Sequence, residues 1–301
     1  MGNFLTKIKL KIVLMTAAVG IVLSSCYSFT GSSLSPETKT ILIKNFPNNA
    51  ALVNSDLSQD FTMALQNMFL QRTELLIGSN NIEKLKNSNV IVFGLGGVGG
   101  ATVEALVRAG IGNLSIVDFD TVDKTNLNRQ IITTQSVIGK PKVEVAKDRI
   151  LSINPDINLT IYNEKFLKEN INLFFKDKKY DYIVDAIDLV TPKLDLIEFA
   201  TNSKIPIISC MGTGNKINPA QFKVADIKKT SVCPLAKIIR KELKKRRINK
   251  LKVVYSDETP RKPLNLDGGR EKNKNVGSIS FVPPVAGMLL ASEVIKDICK
   301  L

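Results

Sequence analysis

The sequence contains no histidine and no tryptophan in 301 residues, and only 6% of it is aromatic. Without histidine the commonest general base near neutral pH is missing, so proton transfer must rest on carboxylates, phosphate oxygens, lysine or water. The four cysteines, Cys26, Cys210, Cys233 and Cys299, are isolated and form no C-x-x-C pair. Structural zinc needs closely spaced thiolates or a Cys/His mixture, so no zinc is expected. The uncharged, largely apolar run Ile12 to Val22 is eleven residues long, short of the about 20 that a membrane-spanning helix requires. No internal repeat or low-complexity segment is visible. Acidic residues are scarce as well: 28 Asp/Glu stand against 42 Lys/Arg, a net charge of +14. Three of the acids and six of the cations lie in residues 1–72, so the remainder carries a net charge of about +11. Nucleic acid is a natural partner for such a surface.

What is present concentrates between Asn89 and Arg129. Val90 to Phe93 is a short continuous apolar run of the kind a doubly covered parallel strand needs, and Gly94, Gly96 and Gly99 follow in G-x-G-x-x-G spacing. Glycines let the backbone approach a phosphate, and the N–H groups opening the next helix, about Val98 to Ala109, supply donors and a positive dipole end. Asn113 to Val117 reads as the second strand and ends at Asp118, placed to accept from a ribose hydroxyl. The same fingerprint serves NAD or ATP, and tight helix-to-strand packing alone would also use it. Arg129 in TNLNRQ and Lys142 in GKPK add two cations, which suit a triphosphate held by the glycine loop. Tyr182 to Ala186 reads as a buried strand with Asp188 beyond its C-terminal edge, where an open α/β sheet binds ligands. A carboxylate there can hold Mg²⁺ on phosphates, or can instead cap the helix Thr191 to Ala200.

These motifs, in this order, resemble the ThiF/MoeB and ubiquitin-activating-enzyme superfamily, whose members adenylate a carboxylate. The resemblance implies a doubly wound, Rossmann-like, mostly parallel α/β sheet. It further implies that Gly97, Asp118, Asn126, Arg129, Lys142 and Asp188 contact ATP and magnesium. Within the superfamily, residues 71–301 are most similar to the tRNA threonylcarbamoyladenosine dehydratases, through RTELLIG, PIISCMGTGNKINP, KTSVCPLA and SFVPPVAG. That implies ATP-dependent cyclisation of threonylcarbamoyladenosine beside a tRNA anticodon. Arg72 would reach the partner subunit's ATP site, so a homodimer is implied. Two other readings stay open: adenylation of the C-terminal Gly-Gly of a sulfur-carrier or ubiquitin-like protein, and a non-catalytic outer-membrane assembly lipoprotein. The absent zinc cysteines count against the first of these, and intact Arg129, Lys142 and Asp188 against the second. Cys233, beside Pro234 at a helix start, is read as a structural thiol or as an acceptor thiol.

The densest basic block includes Lys237, Arg240, Lys241, Lys244, Lys245, Arg246 and Arg247 on a helix expected over Pro234 to Arg247. Leu235, Ile238, Ile239 and Leu243 recur at helical spacing, so one face should pack and the other present cations to RNA phosphates or to water. Lys241, Lys244, Lys245, Arg246 and Arg247 are the candidate tRNA contacts. Further helices are expected at Pro141 to Ile153 and Pro283 to Leu301, and strands at Asn158 to Tyr162, Pro206 to Cys210, Phe222 to Val224 and Leu251 to Tyr255. Glu258 to Val276 reads as a polar loop.

Residues 1–70 point elsewhere. Lys7, Lys9 and Lys11 precede the apolar run, and Leu23-Ser24-Ser25-Cys26 completes a lipoprotein signal peptide over 1–26 with Cys26 as the lipidation site. Residues 27–70, with a strand at Thr40 to Lys44 and a helix about Leu57 to Leu70, resemble the start of a lipopolysaccharide-assembly lipoprotein, too short a piece to close that core. Export to a membrane contradicts an ATP- and tRNA-dependent activity. The expectation is therefore a fusion of unrelated segments near Gln71 to Glu74, with a cytoplasmic catalytic domain; the other reading is a genuine fused product made from a downstream start such as Met63 or Met68.

Overall fold

The computed structural model describes residues 76–262 and 276–301. The signal peptide, Cys26, the segment 27–70, Arg72 and the centre of the Glu258 to Val276 loop lie outside the described residues. Everything described belongs to the unit Arg72–Leu301.

The elements in chain order are α1 (Ser79–Asn87), β1 (Asn89–Phe93), α2 (Gly99–Arg108), β2 (Asn113–Val117), α3 (Lys142–Ile153), β3 (Asn158–Tyr162), α4 (Ile171–Phe175), β4 (Tyr182–Asp185), α5 (Val190–Asn202), β5 (Ile207–Cys210), β6 (Phe222–Asp226), α6 (Pro234–Lys245), β7 (Lys252–Ser256) and α7 (Val282–Cys299). The strands make one sheet in the order β3-β2-β1-β4-β5-β7-β6. All neighbours are parallel except β6, which runs antiparallel to β7.

The apolar run of β1 explains why this sheet is covered twice. Successive strand residues face opposite sides, and both sides are apolar here: Val90 and Val92 join a core with α2, α3 and α7, while Ile91 and Phe93 join another with Phe166, Phe174 and Leu196. A third cluster packs α6, through Ala236, Ile239 and Leu243, against Leu194, Ile197 and Val253. Phe93 is fully buried and meets Phe166 edge-on at 5.0 Å, so Phe93→Ala is expected to cost about 3–5 kcal/mol.

Helix α7 lies close on α2 because Gly287 presents no side chain there. A Cβ at that position would come within 2.9 Å of Ala101 Cβ, and Thr102 Oγ1 donates to the Gly287 carbonyl at 3.0 Å. The strand order places the crossover between β1 and β4, since the chain leaves β1 towards β2 and β3 and returns to β4 on the other side. At such a reversal the flanking connections diverge and open a crevice at the C-terminal strand ends.

Within the described residues the expected strands and helices are present with shifts of a few residues at their ends. Three features depart from expectation. Asp188 caps nothing: α5 begins after Leu189, with no side-chain cap. Ile238 was expected to pack, yet it is 47% exposed among the cations of α6, because the buried stripe runs through Ala236, Ile239 and Leu243. Helices α1 and α4 were not expected.

Candidate functional site

The crevice at the β1–β4 reversal is lined by the first turn after β1. Gly94 adopts φ +90°, and a Cβ there would stand 2.7 Å from the Ala186 carbonyl oxygen. A Cβ on Gly99 would run into the Gly94 carbonyl. The glycines are therefore needed to fold this turn against the exit of β4, while Gly96 faces open space. At Gly97 a Cβ would meet Pro283 Cβ at 2.9 Å and the Arg129 carbonyl oxygen at 3.2 Å and Cγ at 3.4 Å. The glycine turn, the stem of Arg129 and the start of α7 thus converge at one point.

Asp118 closes the same turn from the end of β2. It is 8% exposed; one carboxylate oxygen accepts from Leu95 N at 2.6 Å and the other from Asp120 N at 2.8 Å. Burial raises its pKa above the ordinary aspartate value, while the charge of Lys142 and those two N–H donors hold the rise back. Lys142 opens α3, is 5% exposed, and donates to Asp120 Oδ2 at 2.8 Å. Its backbone N–H also donates to the Asp120 carbonyl at 2.9 Å, so Asp120, which the sequence reading passed over, orients the lysine twice.

Asn126 is buried and its Oδ1 accepts from Asp123 N at 3.0 Å, which ties a short 3₁₀ turn, Lys124–Asn126, at the head of the arginine loop. Arg129 Nη1 donates to the Thr125 carbonyl at 3.0 Å and to Asn128 Oδ1 at 2.9 Å. Neither acceptor is a carboxylate, so among the described residues no acidic side chain pairs with it. Asn128 Nδ2 in turn donates to the Ser278 carbonyl at 3.1 Å. The neighbouring Gln130 keeps Oε1 buried without a partner.

Asp188 is exposed just beyond β4. Beneath it lies a group the sequence reading missed: Lys193 and Asp185, both fully buried, form an ion pair at 2.7 Å. The signal was present, since a charged residue ending an otherwise apolar strand must find a partner. Among the described residues no group of three or more His, Cys, Asp or Glu could hold a metal. A magnesium ion bound mainly through phosphates and water needs only one such carboxylate, which the exposed Asp188 fits.

The three described cysteines, Cys210, Cys233 and Cys299, are buried. Burial pushes the Cys210 thiol up to about 12, and Cys233 is 2% exposed at the N-cap of α6. On α6, Lys241 and Lys244 are exposed and Lys245 pairs with Glu242; Arg247, just beyond the helix, is exposed too. Arg246, another of the candidate RNA contacts, is held by Asp195 at 3.1 Å and Glu198 at 2.8 Å on α5. Arg240 is likewise engaged, donating to the Thr230 carbonyl and hydroxyl. A concavity of about 920 Å³ lies at the opposite, N-terminal strand ends, lined by Asn80, Glu83, Asp181, Tyr182 and Asp297. It is remote from the glycine turn, and the switch-point rule argues for the crevice instead.

A doubly wound sheet with a glycine turn, a buried acceptor and two cations at its switch point defines a nucleotide-binding domain suited to phosphoryl chemistry. Residues 70–301 match the ThiF family, and the chain belongs to it. It is 40% identical over 239 residues to the tRNA threonylcarbamoyladenosine dehydratase of Bacillus subtilis (strain 168), covering 76% of this chain and 94% of that one. The Escherichia coli (strain K12) enzyme of the same name is 38% identical over 172 residues, 57% of this chain and 64% of that one. The solved E. coli tRNA N6-threonylcarbamoyladenosine dehydratase in complex with ATP superposes with a TM-score of 0.69 at 31% identity, covering 83% of this chain and 98% of that one.

Proposed function

We propose that the domain is an ATP-dependent dehydratase that adenylates the threonyl carboxylate of threonylcarbamoyladenosine in tRNA and lets it cyclise. The observation that carries this reading is the meeting of the glycine turn, the Arg129 stem and Pro283 at Gly97, from which the guanidinium would reach a phosphate held by the turn. The turn N–H groups would hold the phosphates, with Gly94, Gly96, Gly97 and Gly99 allowing close approach. Asp118 would accept from the ribose, and Asn126 would support the loop that carries Arg129. Attack of the carboxylate on the α-phosphate builds charge on its oxygens, which Arg129 and Lys142 are placed to take up as pyrophosphate leaves. Magnesium on Asp188 would supply a further charge for the phosphates. The carbamoyl oxygen then attacks the acyl-adenylate, closes a five-membered ring and expels AMP. The nucleophilic carboxylate arrives ionised, so no histidine base is needed.

Exposed Lys241, Lys244 and Arg247, with Lys245 at its edge, are assigned to tRNA phosphates near the anticodon loop; such contacts position rather than specify. Arg72 would complete the site of a second copy, making the enzyme a homodimer in the cytoplasm. Lipidation at Cys26 and membrane attachment apply only if residues 1–26 direct export, which we assign to a fused segment.

ATP–pyrophosphate exchange separates the readings. Exchange dependent on threonylcarbamoyladenosine-bearing tRNA supports the dehydratase. Exchange that appears only with a Gly-Gly-ended carrier protein moves the assignment to the protein-adenylating branch. Labelling of Cys26 by palmitate, with no exchange under either condition, would favour the lipoprotein reading.

A further inference from the structure

Lys193 is fully buried on α5, and all three of its ammonium donors are used: Asp185 Oδ2 at 2.7 Å, Ser209 Oγ at 3.1 Å and the Cys210 carbonyl at 3.0 Å. Ser209 Oγ donates to the same Asp185 oxygen at 2.5 Å. The three acceptors sit at the C-terminal ends of β4 and β5, where Asp185 and Ser209 are paired in register. The other Asp185 oxygen accepts from Ile187 N at 3.0 Å, which bends the chain immediately after the strand. That bend is the surface on which the glycine turn rests. Ala186 N donates to the Phe93 carbonyl at 2.9 Å, Ala186 O limits Gly94, and Ala186 Cβ lies 3.3 Å from a Cβ placed on Gly99. Three residues beyond Asp185 comes Asp188.

A buried ion pair is weak evidence for stability, because desolvation opposes the Coulombic gain; fixing one geometry is its better-attested use. A bare apolar side chain at position 193 would fill the space without holding either strand end. We propose that Lys193 is a positioning residue: it locks the Asp185–Asp188 exit against the Gly94–Gly99 turn and so sets where the β- and γ-phosphates of the nucleotide lie. The proposal rests on the nucleotide reading above. It predicts an effect that depends on the length of the phosphate chain, which a general loss of packing would not produce.

The test uses the full chain, with binding of AMP and of MgATP measured by calorimetry beside the thermal midpoint. Asp185→Asn/Lys193→Met removes both charges together, so no uncompensated ion stays buried, and Ser209→Ala removes one of the three acceptors. The expected result is a cooperative melt for both variants and near wild-type AMP affinity. MgATP should bind about tenfold more weakly in the double variant, with a higher Mg²⁺ concentration needed, and more weakly by a smaller factor in Ser209→Ala. MgATP affinity and Mg²⁺ dependence unchanged in the folded variants overturn the positioning role and leave the nucleotide reading intact. Equal loss of AMP and MgATP also overturns it, assigning Lys193 to structure alone. If the double variant does not fold, Ser209→Ala decides by the same two criteria. A wild-type chain that binds neither nucleotide overturns both readings.

Discussion

At the β1–β4 end of the sheet the charged groups point inward and are committed to one another, whereas several cations along α6 point outward and have no partner among the described residues. Asp118, Lys142, Asp185 and Lys193 are nearly or wholly buried, each with named partners at 2.5–3.1 Å. Lys241 and Lys244 are exposed on the helix that packs its other face through Ile239 and Leu243, and Arg247 is exposed just past its end. The first arrangement suits a ligand that must be held in one geometry for reaction. The second suits a polyanion that needs attraction more than register. Arg129 stands between them, located by its stem at Gly97 and, among the described residues, without an acidic partner at its guanidinium.

The largest effect should come from that intermediate residue. Arg129→Ala is expected to lower pyrophosphate exchange by about 10²–10³ with little change in thermal midpoint, as for loss of one transition-state donor; a large drop in stability with normal exchange would place Arg129 with the structural charges. Gly99→Ala drives a methyl into the Gly94 carbonyl, and a loss of about 1–3 kcal/mol is expected from the overpacked turn. Denaturant midpoints and MgATP affinity should fall together, which distinguishes this change from one on α6.

Arg246→Ala and Lys244→Ala test the comparison inside one helix. Removal of Arg246 leaves Asp195 and Glu198 without their cation and should cost about 1 kcal/mol of stability, with no change in the salt dependence of tRNA binding. Removal of Lys244 should leave stability unchanged and reduce the slope of log affinity against log salt by about one. Reversal of the two outcomes would break the division between committed and available charge. The smallest effect is expected at Glu104 on α2. Burial pushes its carboxyl up, but hydrogen bonds and charge from Arg149 and Arg108 outweigh that and hold it below the ordinary value. A lowered folded pKa contributes stability that is present above the ordinary glutamate range and is lost as pH falls through the lowered value. Because its two arginine partners are about half exposed, Glu104→Gln should cost about 0.5 kcal/mol at neutral pH, with the difference vanishing in acid melts.

The core of the fold was legible because β1, β2 and β4 are continuous apolar runs, and because the glycine turn marks where strand passes into helix. Asp118, Arg129, Lys142 and Asp188 stood out as charges beside those signals, and the structure brings the first three to the edge where the turn lies. Helix α1 was hidden because it is polar nearly all round and buries only Leu85, and α4 because five residues carry no periodicity. Asp185 carried a signal, as a charge ending an apolar strand, but its partner did not: Lys193 is eight positions on, in the next helix. Arg246 looked identical to its basic neighbours, since its carboxylate partners sit on α5, about fifty residues earlier in the chain. Local spacing thus reports which residues carry charge, while the packing of distant elements decides which of those charges remain free.

The most direct measurement is the mass of the modified nucleoside recovered under mild digestion after incubating the protein with ATP, Mg²⁺ and tRNA bearing threonylcarbamoyladenosine. Loss of one water, dependent on ATP and absent with Arg129→Ala, is the predicted result. An unchanged nucleoside mass, with wild-type protein that binds both ATP and the tRNA, would contradict the dehydratase assignment.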